Sequence, residues 1–423
     1  MKRHVTKEKK NSPILLIYLC WLVYACSYIG KMNYAANINP IMDSFGISHA
    51  EAGLVSTVFF FSYGIGQVVN GLFCKKYNIK WIVFSCLLVS GVINLLIPIL
   101  PSFAPIKYLW VINGFTLSVL WPTLIRLLSE SLSGENLSRA ILVMGSTVAA
   151  GTLFCYCTSA FFMLFTSFRA AFFTAAIVLL AVGFIWIYAT PQLMSDCKKI
   201  QNEVESDSTA IQTIENAGYS KRTGSVLFLI ATLALFGVIT NLIKDGLTTW
   251  VPSILKESYS LDDSLSIILT LALPIVSISG NELAVALHKK IPNYVTQCAL
   301  MSLLTAAIIG AVIFSLELDS VILTLVCFTA VSLLVSSTNS LITSLFPLYM
   351  KGRLNSGLIA GILNGFCYLG STISSYGLGL VADLHGWIAV FITLLIAAAI
   401  SLVGAVVYAI VARGKNNRSI QAP

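Results

Sequence analysis

Long apolar stretches separated by short polar loops run through almost the whole chain. They fall at 13–42, 50–74, 81–101, 107–129, 138–165, 168–191, 223–255, 263–287, 293–316, 319–349, 354–382 and 386–412. A helix needs about 20 apolar residues to cross the ~30 Å hydrocarbon core of a bilayer, whereas a membrane β-barrel shows shorter, alternating segments. These runs are continuous, so the pattern predicts an all-α membrane protein with twelve transmembrane helices. The first run follows "MKRHVTKEKK" and is longer than a secretory signal, with no small-residue cleavage pattern, so it reads as the first span.

The segment "SDCKKIQNEVESDSTAIQTIENAGYSKR", near 195–222, is polar and poor in large apolar residues, as a linker would be. It divides the spans six and six. The expected organisation is an N-terminal six-helix bundle over 1–190, a cytoplasmic linker over 191–222, a C-terminal six-helix bundle over 223–412 and a tail over 413–423.

Composition agrees with the pattern: 57% of the 423 residues are hydrophobic, 10% are charged, and the mean hydropathy is +0.87. No soluble domain needs so much apolar surface. Charge adds orientation. With both termini cytoplasmic, the inner loops hold Lys75, Lys76, Lys80, Arg126, Arg139, Lys198, Lys199, Lys221, Arg222, Lys289, Lys290, Lys351 and Arg353, besides the basic residues near the two termini. The outer loops hold Lys107, Arg169 and Lys256. This is the positive-inside bias, and the expected location is a bacterial plasma membrane. The net charge of +8 reports that topology and not a nucleic-acid partner, because the basic residues are spread over many loops. The ten cysteines lie mostly in apolar runs without metal-ligand spacing and read as buried thiols.

Two basic residues remain, Lys31 in the first span and Lys244 in the seventh. They stand 213 residues apart, while Lys75-Lys76 and Lys289-Lys290, each following the second span of its half, stand 214 apart. One register therefore relates the halves. Parallel six-helix repeats with a substrate site near the midplane describe the major facilitator architecture of secondary transporters. In that arrangement both lysines would reach one central cavity, and two cations facing a cavity suit an anion.

Motifs along the chain make the likeness more specific. "YACSYIGKMNYAANINP" places Tyr24, Tyr28, Lys31, Asn33, Tyr34, Ala35 and Pro40; "YGIGQVVNG" lies in the second span and "WPTLIR", with Trp121, Pro122 and Arg126, in the fourth; "KDGLTTWVPSIL" lies in the seventh. "GLIAGILNGFCYLGSTISSYGLGLVADLHGWIAVF" carries Tyr368, Gly370, Gly377, Asp383, Gly386 and Trp387. Over nearly its whole length the chain resembles the organophosphate/phosphate antiporters of the major facilitator superfamily, which include the glycerol-3-phosphate and hexose-phosphate transporters. The resemblance implies antiport of an organic anion. Nothing along the chain resembles a nucleotide-binding loop, a metal cluster or a nucleophile with its base, and four histidines are scattered at positions 4, 49, 288 and 385, so no cofactor and no enzymatic activity are expected. The chain departs from that family in having Lys31 and Lys244 where the family has arginines that grip phosphate, Val148 where it has a histidine, and Lys75 at an acidic loop position. Lysine binds an oxyanion as a compact point charge, without the paired donors of guanidinium.

Each candidate has a plain structural reading beside the functional one. Lys31 could contact substrate, pair internally or snorkel to the surface, but it lies 18 residues beyond Pro13, about 27 Å along a helix. Lys244 could be neutralised by Asp245, although helix neighbours point about 100° apart and make a poor pair. Asp245, an acid deep in a span, is a candidate proton-coupling residue or a structural partner. Tyr24 and Tyr28 share the helical face of Lys31, and Thr240, Asn241 and Thr248 flank Lys244 at helical spacing. Gln67, Trp121, Asn364 and Tyr368 join the list through the resemblance; all these residues could equally be packing or interface groups. Asn33 reads as a helix-helix hydrogen bonder, Arg126 as a gate or packing residue, and Gly357, Gly361, Gly365 and Gly370 as close-packing positions.

The reading is a transporter of an organic anion, a phosphate ester or a sugar acid, working by exchange and alternating access in the lipid bilayer, as a monomer. Inorganic phosphate or a proton is the expected coupling species. The alternatives are a proton symporter using Asp245 and a transporter-derived ligand sensor.

Overall fold

The structure, a computed structural model, describes residues 7–73, 76–207, 223–350 and 356–420. Lys75, Lys221, Arg222, Lys351, Arg353 and the second part of the expected linker, 208–222, lie outside the described residues. The chain forms helices α1 (Lys7–Ala36), α2 (Ile38–Phe45), α3 (His49–Phe73), α4 (Ile79–Leu96), α5 (Ala104–Leu117), α6 (Leu120–Ser131), α7 (Gly134–Gly145), α8 (Thr147–Phe165) and α9 (Phe168–Asp207). After the linker come α10 (Thr223–Tyr259), α11 (Asp263–Thr270), α12 (Ala272–Ser277), α13 (Gly280–Lys290), α14 (Tyr294–Glu317), α15 (Val321–Ser340), α16 (Phe346–Tyr349) and α17 (Ser356–Ile420).

Eleven helical stretches among the described residues are long and apolar enough to cross a membrane. The last of them, Ile359–Val411, has 53 residues, about 80 Å of helix and more than twice the bilayer core. Within it Gly386 adopts φ 76°, a backbone open mainly to glycine, and interrupts the helix. Counting one span on either side of Gly386 gives the twelve that the apolar pattern predicts.

Several boundaries differ from the apolar runs. The first run extends to residue 42, but Asn37, at φ −110° and ψ 23°, separates α1 from the short α2. Gly46, at φ 63°, then ends α2, its N–H donating to Met42 O at 2.8 Å. Hydropathy does not register such breaks, because the residues around them remain apolar. At the other boundaries α9 continues beyond the expected end of its bundle to Asp207, and α17 continues through most of the expected tail to Ile420.

Contacts gather the chain into two units, one of Met1–Ala36 with Ile65–Glu215 and one of Asn37–Gly64 with Asn216–Pro423. In the first unit α1 packs on α8 and α9, and α4 packs on α9. Trp110, Trp186, Tyr156 and Phe172 are wholly enclosed there. In the second unit α10 packs on α17, and α14 on α15 and α17, around a core that includes Leu233, Phe236, Leu341, Phe346 and Leu363. Large apolar side chains elsewhere stay exposed, among them Ile177, Ile322 and Val403. That distribution fits a lipid solvent, in which an apolar exterior costs nothing.

Close helix packing at glycine is confirmed at one expected position. A Cβ at Gly370 would collide with the carbonyl oxygen of Val238, so α17 meets the backbone of α10 there. Gly361 and Gly365 have open space beside them, and the packing role expected for them is not what the structure shows. Glycine spacing alone identifies a helical stripe, not whether a neighbour covers it.

Candidate substrate-binding site

In the first unit, α1 presents a row of functional side chains whose spacing follows the helical period. Lys31 is buried, with 8% of its surface exposed. Its Nζ lies 4.9 Å from the centroid of the Tyr28 ring. Tyr28 meets Tyr24 edge-on at 5.5 Å, and Tyr24 meets Trp121 of α6 at 4.8 Å. Four sequence-predicted residues thus form one continuous series from ammonium to indole. Aromatic faces carry negative charge density and stabilise a cation, by about 2 kcal/mol where the pair is desolvated. Gly151 of α8 supports the row from behind, since a Cβ there would strike the carbonyl oxygen of Ala25 and crowd Tyr28.

Gln67 belongs to a different arrangement. Its Nε2 donates at 3.2 Å to the carbonyl of Ser118, and Asn70 Nδ2 donates at 2.8 Å to Ser118 Oγ. Ser118 sits at the break between α5 and α6, where backbone groups lose helical partners. Gln67 thus satisfies a backbone carbonyl at the break, and Asn70 holds the Ser118 hydroxyl. Asn33 Nδ2 donates to Asn94 Oδ1 at 3.4 Å, joining α1 to α4 as expected of a helix-helix hydrogen bonder. Arg126 binds Glu130 at 2.7 Å and the carbonyl of Tyr77 at 3.4 Å.

In the second unit, Lys244 Nζ lies 3.6 Å from Asp245 Oδ1. The helical-angle argument against this pair is corrected by the length of the lysine stem, which lets the ammonium turn back although the Cβ vectors diverge. The separation is an ion-pair distance but too long for a strong hydrogen bond. The other carboxylate oxygen of Asp245 accepts from Ser371 Oγ of α17. Asn241, one turn before Lys244, donates to Asn339 Oδ1 of α15 at 2.9 Å, and Cys367 Sγ approaches the same oxygen at 3.7 Å. Thr248 Oγ1 donates to the backbone carbonyl of Lys244 at 2.9 Å. Tyr368 packs on Tyr63 at 4.9 Å, and Asn364 is half-buried one turn before it on α17.

Asn339 and Ser371 escaped the sequence reading because each is a small polar residue in an apolar run, which composition cannot distinguish from a helix-packing group. A third cluster also escaped it. His49, at the start of α3, places Nε2 at 2.7 Å from Glu257 Oε1 of α10 and Nδ1 at 2.7 Å from Asp383 Oδ1 of α17. In the sequence Asp383 and Trp387 stand out only as positions of resemblance, and nothing around His49 sets it apart. Spacing along the chain could not join residues more than 200 positions apart. Among the described residues, no group of three or more His, Cys, Asp and Glu side chains is arranged to hold a metal ion. The described cysteines are free thiols, buried except for Cys157.

Comparisons with known proteins agree with the helical fold and with the family resemblance. The chain is 22% identical over 425 residues to a protein of Chlamydia pneumoniae described as a probable hexose phosphate transport protein, covering 94% of this chain and 91% of that one. It is 23% identical to the membrane sensor protein UhpC of Escherichia coli strain K12, covering 91% of this chain and 90% of that protein. It is also 23% identical to the glycerol-3-phosphate transporter of Bacillus subtilis, over 57% of each chain. The fold matches that of a bacterial homologue of the human lysosomal transporter Spinster, with a TM-score of 0.68 at 13% identity over 95% of this chain and 97% of that one. The family profile described as Major Facilitator Superfamily matches residues 20–356, and the chain is therefore an integral membrane protein belonging to the Major Facilitator Superfamily of transporters.

Proposed function

We propose that the protein exchanges organic anions across the membrane by alternating access, with Lys31 and Lys244 holding the anion from the two repeats. The observation that carries this reading is the aromatic-lined ammonium of Lys31, buried on the first span, together with the sequence register that sets Lys244 at the matching place in the other repeat. A lysine kept deep in a membrane span is costly and needs a function or a partner to retain it. Names of relatives narrow the substrate: hexose phosphate and glycerol 3-phosphate are what the transport proteins of Chlamydia pneumoniae and Bacillus subtilis are named for. A phosphate ester is the favoured substrate class, with sugar acids second. Two ammonium groups repel each other in a low-dielectric site, so an anion between them favours the occluded arrangement and an empty carrier reorients slowly. That is a physical basis for exchange.

Asp245 supports a second reading, proton symport. It is mostly buried, beside Lys244 and Ser371, where it could trade its ion pair for a proton when the anion takes the lysine. A sensor is a third, because two of the relatives are named as membrane sensors.

Counterflow in proteoliposomes separates the three. Uptake of labelled hexose phosphate should require an internal anion, such as inorganic phosphate, and should be indifferent to an imposed proton gradient. Uptake into anion-free vesicles driven by that gradient would favour Asp245-coupled symport, and binding without any counterflow would favour a sensor.

A further inference from the structure

The His49 cluster contains more hydrogen-bonding demand than its ordinary charges can meet. Ionised carboxylates only accept hydrogen bonds, and a neutral imidazole has one N–H to give. Yet both ring nitrogens of His49 lie 2.7 Å from a carboxylate oxygen. A bare ring nitrogen facing a bare carboxylate would set lone pair against lone pair. The arrangement therefore needs one proton beyond neutral histidine and two carboxylates, whichever of the three groups formally carries it.

Nothing in the cluster is loosely placed. Asp383 also accepts the backbone N–H of His49 at 3.0 Å and of Ala50 at 2.8 Å, so it caps the first turn of α3. Trp387 Nε1 donates to the second oxygen of Glu257 at 2.9 Å. The imidazole sits against a pair of indoles, with centroids 5.5 Å from Trp250 and 5.2 Å from Trp387, which themselves meet at 6.0 Å. Within six positions of these three groups along the chain stand Glu51 on α3, Asp43 at the end of α2, Lys256 on α10, Asp262 and Asp263 at the start of α11 and the exposed His385 on α17. Lys256 binds Asp43 at 2.5 Å and Asp263 at 3.0 Å, so one cation is shared by two carboxylates and that group keeps one net negative charge.

We propose that His49, Glu257 and Asp383 form a proton-binding latch, which takes up one proton as the start of α3 closes on α10 and α17 and releases it on opening. In a twelve-span chain the loops before α3, after α10 and at Gly386 all lie on the membrane face opposite the termini. The latch therefore exchanges its proton with that face. Its part in a transport cycle rests on the alternating-access reading; its proton content does not. Because the closed form binds one more proton than the open form, lowering the pH favours closure, by up to about tenfold in the closed-to-open ratio per pH unit.

The test is the side-chain ¹⁵N spectrum of the full chain, labelled at histidine in lipid nanodiscs, where only four histidines contribute and His49→Gln identifies the signal. At about pH 7.5, where free imidazole is mostly neutral, His49 should show a form with both nitrogens engaged by protons, and the share of that form should grow as pH falls. Asp383→Asn and Glu257→Gln should each diminish it. A His49 that gives only the spectrum of a single neutral tautomer at that pH, or one unmoved by both substitutions, would overturn the proposal. Substrate is absent from this measurement, so failure of counterflow and failure of the latch are separate results.

Discussion

The ammonium of Lys31 lies 4.9 Å from the centre of the Tyr28 ring, one helical turn away on α1. The ring's π face is what the cation meets in this contact. Tyr28→Phe should therefore leave anion binding within about threefold of wild type, whereas Tyr28→Leu should weaken it about tenfold or more, in line with a cation–π contribution of about 1–2 kcal/mol. Equilibrium binding of labelled hexose phosphate checks the contrast.

Asn241 and Asn339 make a hydrogen bond between α10 and α15, one turn from Lys244. Removing either amide leaves the other buried without that partner, which costs about 1–3 kcal/mol. Asn241→Ala and Asn339→Ala should each lower the thermal transition of the purified protein, and the double variant should be less destabilised than the sum of the two. Additive effects would mean that the pair does not act as a unit.

Gly370 and Gly361 offer a matched comparison on α17. A methyl at Gly370 meets the carbonyl of Val238, while one at Gly361 meets open space. Gly370→Ala should destabilise the protein by about 1–3 kcal/mol through overpacking, and Gly361→Ala should leave the melting temperature unchanged.

The number and type of spans were legible because bilayer thickness imposes a length of apolar helix that short loops cannot hide. The Lys31, Tyr28, Tyr24 and Trp121 series was partly legible too, since three of its members repeat at helical spacing on one segment. What could not be read were relations across sequence distance, such as Asn241 with Asn339, Asp245 with Ser371, and His49 with its two carboxylates. Each joins residues whose one-dimensional neighbourhoods look ordinary. The Lys244–Asp245 pair was misjudged for a different reason: Cβ directions were considered without the reach of a four-carbon stem.

Lysines in place of the arginines carried by the resembling antiporters make a prediction about geometry. Lys31→Arg with Lys244→Arg restores two planar donors suited to paired phosphate oxygens. The double variant should bind inorganic phosphate more tightly than wild type, by about tenfold, when inhibition of labelled-substrate binding is measured. An unchanged inhibition constant would count against the guanidinium argument while leaving anion binding itself intact.

The most direct test of the paired-lysine account is the affinity of Lys31→Gln and Lys244→Gln for a labelled phosphate ester, measured on folded protein in detergent. A hydrogen bond to a charged group contributes about 1.5–3 kcal/mol, so each variant should bind roughly 10- to 100-fold more weakly than wild type while keeping its melting temperature within a few degrees. Wild-type affinity in both variants would contradict the account.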